Sequence, residues 1–247
     1  MAKKMYDETR IAAIAEKIRE HTKTETKYST AEMPNGVDEV YLAGFEAGKE
    51  QGGGEAENPL YLATELWYTY SNAVFPENYS LTLNLKNAPT KCYQVFKNTT
   101  NLKTVKFIFE SKDDPITLDQ TFRESGVEVV DFTETSCKFY GNINYAFFQA
   151  NNLLSILGKL DLSACTNFNY SFHCGKLKDI EIVPNSIYYT IRFNSYYLTE
   201  KSRQSIIDGL ADLTGSEPQT LTLNGVASLL TDAQKAQISA KNWTLAY

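Results

Sequence analysis

The apolar positions of this chain follow two different periods. In residues 6–20 they recur at helical spacing, without Gly or Pro, which predicts an amphipathic helix. A second, shorter set with helical spacing lies in residues 37–45. Further along, apolar and polar residues alternate, at 81–85 and again at 105–109. Alternation is the period of a strand with one buried face, so the chain changes from helical to strand structure.

The segment between the two patterns divides the chain. Residues 49–58 read KEQGGGEAEN, which predicts a Gly-rich linker. The two short helices before it, in residues 1–48, are too small to bury a core alone. We therefore interpret residues 1–48 as a helical segment for attachment or oligomerisation. Residues 59–198 are predicted to form a repeat region, and residues 199–247 a capping region.

A motif of about 25 residues recurs after the linker. Each copy starts with a Phe anchor, has Leu or Val five or six residues later, and has Val or Ile three residues beyond that. The anchors are Phe96, Phe122, Phe147 and Phe172, spaced by 26, 25 and 25 residues, and Phe193 starts a truncated fifth copy. One copy cannot bury its own apolar face, so the copies are expected to stack and align their anchors in one core.

The last region has its own elements, which are expected to cover the open end of the stack. The predicted elements are a helix with Thr199 as its N-cap that ends before Gly215, a strand at 221–224, a helix from the capping-box pair Thr231 and Gln234 to about Ala240, and an edge strand at 243–247.

The spacing F-x4/5-L-x2-V/I-x-F resembles the BspA-like class of leucine-rich repeats. The clearest matches are Phe96–Leu102 and Phe172–Pro184, and the resemblance covers about residues 80–225. It implies the fold class α+β, as a leucine-rich-repeat β-solenoid with N-terminal helices and a C-terminal helical cap. In this class the Cys after the Phe is a small buried core residue, and Cys174 fits that pattern.

Residues 11–40 resemble a short module at the start of many phage and prophage tail-associated proteins, although Glu25 replaces a glycine of that module. Residues 198–245 also look like the closing segment of such proteins in gut bacteria and their phages. These resemblances imply a virion tail protein, made in the bacterial cytoplasm without a signal peptide. The implied partners are other tail proteins, through residues 1–48, and a host surface glycan or protein. A homo-oligomer, by tail-fibre analogy a trimer, is expected.

The composition limits the classes of partner that the chain is expected to bind. The net charge is −6 and the lysines are scattered, so the chain lacks the basic stripe that nucleic acids require. No basic start followed by an apolar run predicts a secretory signal peptide. No stretch approaches the roughly 18 apolar residues of a membrane span, so membrane insertion is not expected.

Motifs for catalysis are not found, and we predict no catalytic residue, cofactor or metal. His173 and Cys174, taken with Cys165, lack the paired spacing of zinc sites. A pair of carboxylates could serve a glycan hydrolase, the natural enzymatic alternative. The acidic residues available, however, are interpreted as a turn and as outward strand positions: Asp113, Asp114, Asp131 and Glu134.

Surface recognition remains as the predicted function. Residues two before each anchor are expected to form a half-exposed ladder: Gln94, Gln120, Tyr145, Tyr170 and Ile191. Residues four before each anchor are expected in the core: Cys92, Leu118, Ile143, Phe168 and Tyr189. Tyr with Asn and Ser is typical of binding loops, but also of strands and turns in any repeat protein.

The candidate binding residues are Tyr145, Tyr170, Tyr188, Tyr196 and Tyr197. Tyr196 and Tyr197 are either a contact surface or the seat of the closing helix. We hypothesise a non-enzymatic phage or prophage tail-associated protein that recognises a host glycan or protein. The alternatives are a bacterial adhesion or scaffold protein and a glycan-cleaving tail protein.

Overall fold

Parallel pairing between equivalent residues of successive copies organises the chain. A computed structural model describes Leu60, Ala63 and residues 65–247. Val105 pairs with Val130, and Val130 pairs with Ile156, always in parallel register. The period of the sequence is therefore the step from one parallel strand to the next. The predictions for residues 1–48 and 49–58 lie outside the described residues.

The described strands form three parallel sheets. The six-stranded sheet has the order β2-β4-β5-β7-β6 with β8 on β7, and the others are β1-β3 and β11-β10-β9. The bounds are β1 (Glu65–Trp67), β2 (Val74–Leu85), β3 (Lys91–Tyr93), β4 (Thr100–Phe109), β5 (Val129–Glu134), β6 (Lys138–Asn142), β7 (Ser155–Asn167), β8 (Asp179–Ile182), β9 (Ile191–Asn194), β10 (Gln219–Asn224) and β11 (Trp243–Ala246). The helices are α1 (Glu200–Gly209) and α2 (Asp232–Ala240).

The predicted fold class, an α+β leucine-rich-repeat solenoid, is wrong. The structure is mostly parallel β-sheet, with 40% strand, 12% helix and two helices in its described part. Both helices lie after residue 199, so no helix connects the strands of successive copies in the described repeat region. Short strands and tight turns make these connections instead. The strand pairing is divided among three sheets.

The anchors form one continuous buried column of stacked rings, which we call the anchor stack. Successive ring centroids are 4.7–5.8 Å apart and the interplanar angles are 3–25°. Its members are Tyr70, Phe96, Phe122, Phe147, Phe172 and Phe193. The predicted alignment of the Phe anchors is confirmed. Offset stacking of large rings adds to the energy of burying them.

The C-terminal elements follow the prediction with one difference. Thr199 caps α1, Thr231 and Gln234 form the capping box of α2, and β11 is an edge strand. The first helix, however, ends at Gly209, well before Gly215. A Cβ at Gly209 would lie 2.6 Å from the Ile182 side chain, so a larger residue there would have to displace Ile182. The chain then leaves the helix, and Leu210 pairs with Ile187.

Candidate binding surface

A column of residues beside the anchor stack holds an unusual backbone conformation. These residues, two before each ring of the anchor stack except Phe193, have left-handed φ angles of 52–55° although none is Gly. We call them the outer ladder: Tyr68, Gln94, Gln120, Tyr145 and Tyr170. Left-handed φ costs an ordinary residue about 1–2 kcal/mol, so something in the fold must hold each of them there.

Backbone hydrogen bonds between copies hold the outer ladder. The N–H of Tyr68 donates to the carbonyl of Tyr93 at 3.0 Å, and the N–H of Gln120 donates to Asn144 at 2.9 Å. The N–H of Tyr145 donates to Asn169 in the same way, at 2.9 Å. In the four ladder residues before Tyr170, the left-handed turn aims the N–H at the next copy, so an inter-copy bond offsets the strain. The side chains of the ladder consequently project from a well-determined backbone.

Side chains join the first half of the ladder. Gln94 donates from its amide nitrogen to Gln120 at 2.9 Å and to the Tyr93 hydroxyl at 3.1 Å. The guanidinium of Arg123 donates to Gln120 at 3.2 Å, and its carbon lies 5.7 Å from the ring centroid of Tyr145. Arg123 therefore connects the amide part of the ladder to the aromatic part.

Aromatic contacts continue through the second half. Tyr145 and Tyr170 stack with centroids 5.3 Å apart, and Phe148 packs edge-on against both. His173 lies 5.3 Å from the ring of Phe148, and its Nε2 accepts from the Asn194 amide at 2.7 Å. The result is one contiguous surface of aromatic and amide groups.

At the start of this surface lies a cleft of about 510 Å³, which we call the end cleft. Its principal walls are Trp67, Tyr68, Lys91, Tyr93, Asp119 and Tyr140. β1 and β3 bring the first four together, because Trp67 pairs with Tyr93 in parallel register. The Tyr140 hydroxyl is fixed by donating to the Thr90 carbonyl at 3.1 Å.

Three of the four buried polar side-chain atoms that have no hydrogen-bond partner in the described structure belong to this surface: Asp119 Oδ1, Asn144 Oδ1 and His173 Nδ1. Burial raises the pKa of the Asp119 carboxyl above its usual range. Burial, and secondly the charge of Arg192, lower the pKa of His173. Unsatisfied buried groups cost stability, so each of these atoms would gain from a hydrogen bond to water or to a ligand.

Two of the five predicted binding residues lie together on this surface. Tyr145 is half-buried and Tyr170 is 37% exposed, and they stack on each other. Ile191 was predicted to continue the ladder, which is wrong. It is buried, has no left-handed φ, and pairs with Leu221 in β10. The truncated fifth copy forms a strand where the other copies form the left-handed turn.

The other three predicted residues lie elsewhere around β9. Tyr188 is exposed in the segment before β9, whereas Tyr196 and Tyr197 are exposed after it. The Tyr196 ring lies against the turn after β10, where a Cβ on Gly225 would be 2.5 Å from it. Tyr196 is therefore seated on that turn, and not on the closing helix.

The predicted core column also fails in the fifth copy. Cys92, Leu118, Ile143 and Phe168 are buried as predicted, and so is Cys174. Tyr189 is 48% exposed, so its prediction as core is wrong. Phe193 follows Phe172 after only 21 residues, and the shortened copy buries Ile187 in place of Tyr189.

The end cleft was not among the sites predicted from the sequence. Tyr70 precedes Phe96 by 26 residues, the spacing of the repeat, and so heads a further copy. That spacing would have placed Tyr68 in the ladder and Leu66 in the core column. The signal was weak because the anchor is Tyr, and because Leu81 lies two residues later in its copy than Val105 does.

Within the described residues, no group of three His, Cys, Asp or Glu side chains could hold a metal ion. No helix in that part of the chain is long and apolar enough to span a membrane. Comparison of the chain with protein-family models, curated proteins and solved structures finds no match to any of them.

Proposed function

We propose that this chain is a non-enzymatic, tail-associated binding protein of a phage or prophage, which recognises a glycan or protein on the host surface. The outer ladder carries the proposal. Tyr and Gln side chains there combine rigid aromatic area with adaptable hydrogen bonding, the mixture that binding surfaces use. The inter-copy bonds fix their backbone in advance, which lowers the entropy cost of binding.

Charge supports a glycan or protein as the partner over a polyanion. The chain carries a net charge of −6, and the outer ladder itself holds no charged residue. Nucleic acid would need a basic surface for its phosphates. Residues 1–48 are proposed to attach the chain to other tail proteins or to a second copy of itself.

The proposal is tested with the full chain on cells of the bacterium that encodes it or hosts its phage. Fluorescently labelled protein should bind these cells, and the double variant Tyr145→Ser, Tyr170→Ser should bind at least tenfold more weakly. The variant Tyr247→Ser is the control, because Tyr247 is 74% exposed at the other end of the described chain. Equal binding by all three proteins would contradict the proposal.

Two further measurements separate the alternatives. Mass spectrometry of purified particles should detect the chain, and removal of residues 1–48 should eliminate it from them. Cell binding without presence in particles would favour the adhesion or scaffold function. Release of oligosaccharide from host polysaccharide by the purified chain would contradict the non-enzymatic part of the proposal.

A further inference from the structure

The end cleft presents aromatic side chains that the rest of the fold does not need for its core. Trp67 is 48% exposed and Tyr68 is 51% exposed, whereas the other tryptophan, Trp243, is 3% exposed. Trp243 is therefore part of the core, whereas Trp67 is not. A cluster of large exposed rings beside a cleft is the usual sign of a contact surface.

The rings of the end cleft stand at angles to one another. The centroid of Tyr93 lies 5.6 Å from that of Trp67, with planes at 52°, and 5.4 Å from that of Tyr68, with planes at 86°. Rings inclined in this way form the sides of a hollow, and the half-exposed rings of Trp67 and Tyr68 offer accessible surface for stacking. The volume of about 510 Å³ is within the range of small-ligand sites.

Polar groups of fixed orientation lie between the rings. Gln94 donates to the Tyr93 hydroxyl, and the Thr90 carbonyl accepts from the Tyr140 hydroxyl. The half-buried Asp119 lines the cleft, and its Oδ1 has no donor in the described structure. A few oriented polar groups among aromatic walls give a site its specificity, and an unpaired buried acceptor favours a ligand that donates hydrogen bonds.

The charges at the end cleft indicate an uncharged ligand. The lining holds one basic and one acidic residue, Lys91 and Asp119, so neither sign of charge is in excess there. The ammonium of Lys91 already lies 5.0 Å from the Trp67 ring centroid and 3.8 Å from the Glu65 carboxylate. The cation site of Trp67 is thus occupied by the protein itself, which leaves little advantage to a cationic ligand.

We propose that the end cleft is a subsite for one ring of an uncharged sugar. The ring stacks its apolar face on Trp67 or Tyr68, and its hydroxyl groups donate to Asp119. A sugar ring is a ligand with a C–H face and a rim of hydroxyl donors, which is the combination that these walls accept. The inference rests on the proposed function and deepens it, because it commits one part of the surface to a glycan.

The two tryptophans provide the test. The full chain, labelled with 5-fluorotryptophan, gives two fluorine resonances, and the variant Trp67→Phe identifies the one from the cleft. The probes are glucose, galactose, N-acetylglucosamine and rhamnose at millimolar concentration. At least one should shift the Trp67 resonance saturably and leave the resonance of buried Trp243 unmoved.

The variants Asp119→Asn and Tyr93→Ala should weaken that binding at least tenfold. Asp119→Asn keeps the shape of the side chain and so tests the acceptor even if Tyr93→Ala folds poorly. The control Tyr189→Ser removes an exposed ring outside the cleft and should leave the affinity unchanged. The inference is overturned if none of the four sugars shifts Trp67, or if Asp119→Asn binds as tightly as the parent chain.

Cell binding distinguishes this failure from failure of the proposed function. Host cells that still bind the chain when no sugar moves Trp67 would refute the sugar subsite alone. If protease treatment of the cells also removes that binding while no sugar moves Trp67, the ligand is a protein and the subsite is overturned. Sugar binding at Trp67 without any binding to host cells would instead support the subsite and contradict host recognition.

Discussion

The anchor stack and the outer ladder run side by side, two residues apart in every copy except the truncated one at Phe193, yet they differ in composition. Inside, five of the six residues are Phe, and the sixth is Tyr70. Outside, the ladder mixes Tyr and Gln on a backbone that scarcely changes, with φ of 52–55° throughout. Close packing in the interior admits few ring shapes. The outer side chains are free to differ because hydrogen bonds, and not their identity, hold the backbone.

The largest expected effect of a mutation lies in the anchor stack. Phe122→Ala should destabilise the protein by about 3–5 kcal/mol, because it removes a fully buried ring between two stacked neighbours. Tyr170→Ala deletes a ring from the ladder and should cost about 1 kcal/mol. Urea unfolding of both variants measures the difference. Similar losses of stability would remove the distinction between core and surface columns.

A smaller effect tests whether Tyr196 belongs to the fold. Gly225 and Gly215 have nearly equal φ, +85° and +84°, but only Gly225 has the Tyr196 ring against it. Gly215→Ala should cost about 1 kcal/mol of conformational strain. Gly225→Ala should cost roughly 1 kcal/mol more, because the new methyl group displaces the ring. In a Tyr196→Ser background the two costs should become equal, and a difference that persists there would exclude the ring as its cause.

The ladder itself can be tested with two glutamines that share one conformation. Gln149, which is exposed, has φ 55°, and Gln120 has φ 53°. Gln149→Gly should stabilise by about 0.5 kcal/mol, since glycine accepts the left-handed turn at some cost in unfolded-state entropy. Gln120→Gly should instead destabilise by about 0.5 kcal/mol, because it also loses the hydrogen bonds to Gln94 and Arg123. Thermal unfolding measures both, and equal shifts would mean that the side-chain network contributes nothing.

The smallest effect concerns pH at the far end of the surface. Arg192 is the charged group that acts on His173, whose other neighbours are Phe148, Tyr170 and Asn194. The pKa of His173 is lowered on folding, so the unfolded chain binds the proton more readily. Stability should therefore decline as the pH falls below about 6.5, the usual histidine range.

The variant His173→Gln should lose part of this decline, as measured by unfolding between about pH 7.5 and pH 5. The chain has one other histidine, and His21→Gln serves as the matched control. A pH profile that His173→Gln leaves unchanged would show that the imidazole is as well solvated in the folded chain as in the unfolded one.

Much of the core could be predicted from the sequence, because a buried position repeats its apolar residue at a fixed spacing. The five Phe anchors and the column from Cys92 to Phe168 were found in this way. The spacing of the anchors predicts that the copies stack, but it does not predict the structure of the segments that connect their strands. The predicted fold class was wrong for that reason. The left-handed turns were also hidden, since Tyr and Gln are not residue types that mark positive φ.

The end cleft could not be predicted for a different reason. Tyr140 lies 73 residues after Trp67, so the stacking of several copies brings them to one cleft, and no local motif joins them. Tyr188, Tyr196 and Tyr197 were grouped because they are close in sequence. The short strand β9 separates them, and a strand carries its two ends apart by about 3.3 Å per residue.

Because each copy pairs with the next one, the length of the outer ladder is set by the number of copies. Neighbouring strands lie about 4.8 Å apart, so the four steps from Tyr68 to Tyr170 span roughly 19 Å. Duplication of a whole copy, such as residues 122–146, would add one more step and one more outward side chain without disturbing the bonds of its neighbours. Loss of a copy would subtract the same amount. A lineage that carries this chain can therefore adjust the length of its contact surface in whole increments, and its chemistry one side chain at a time.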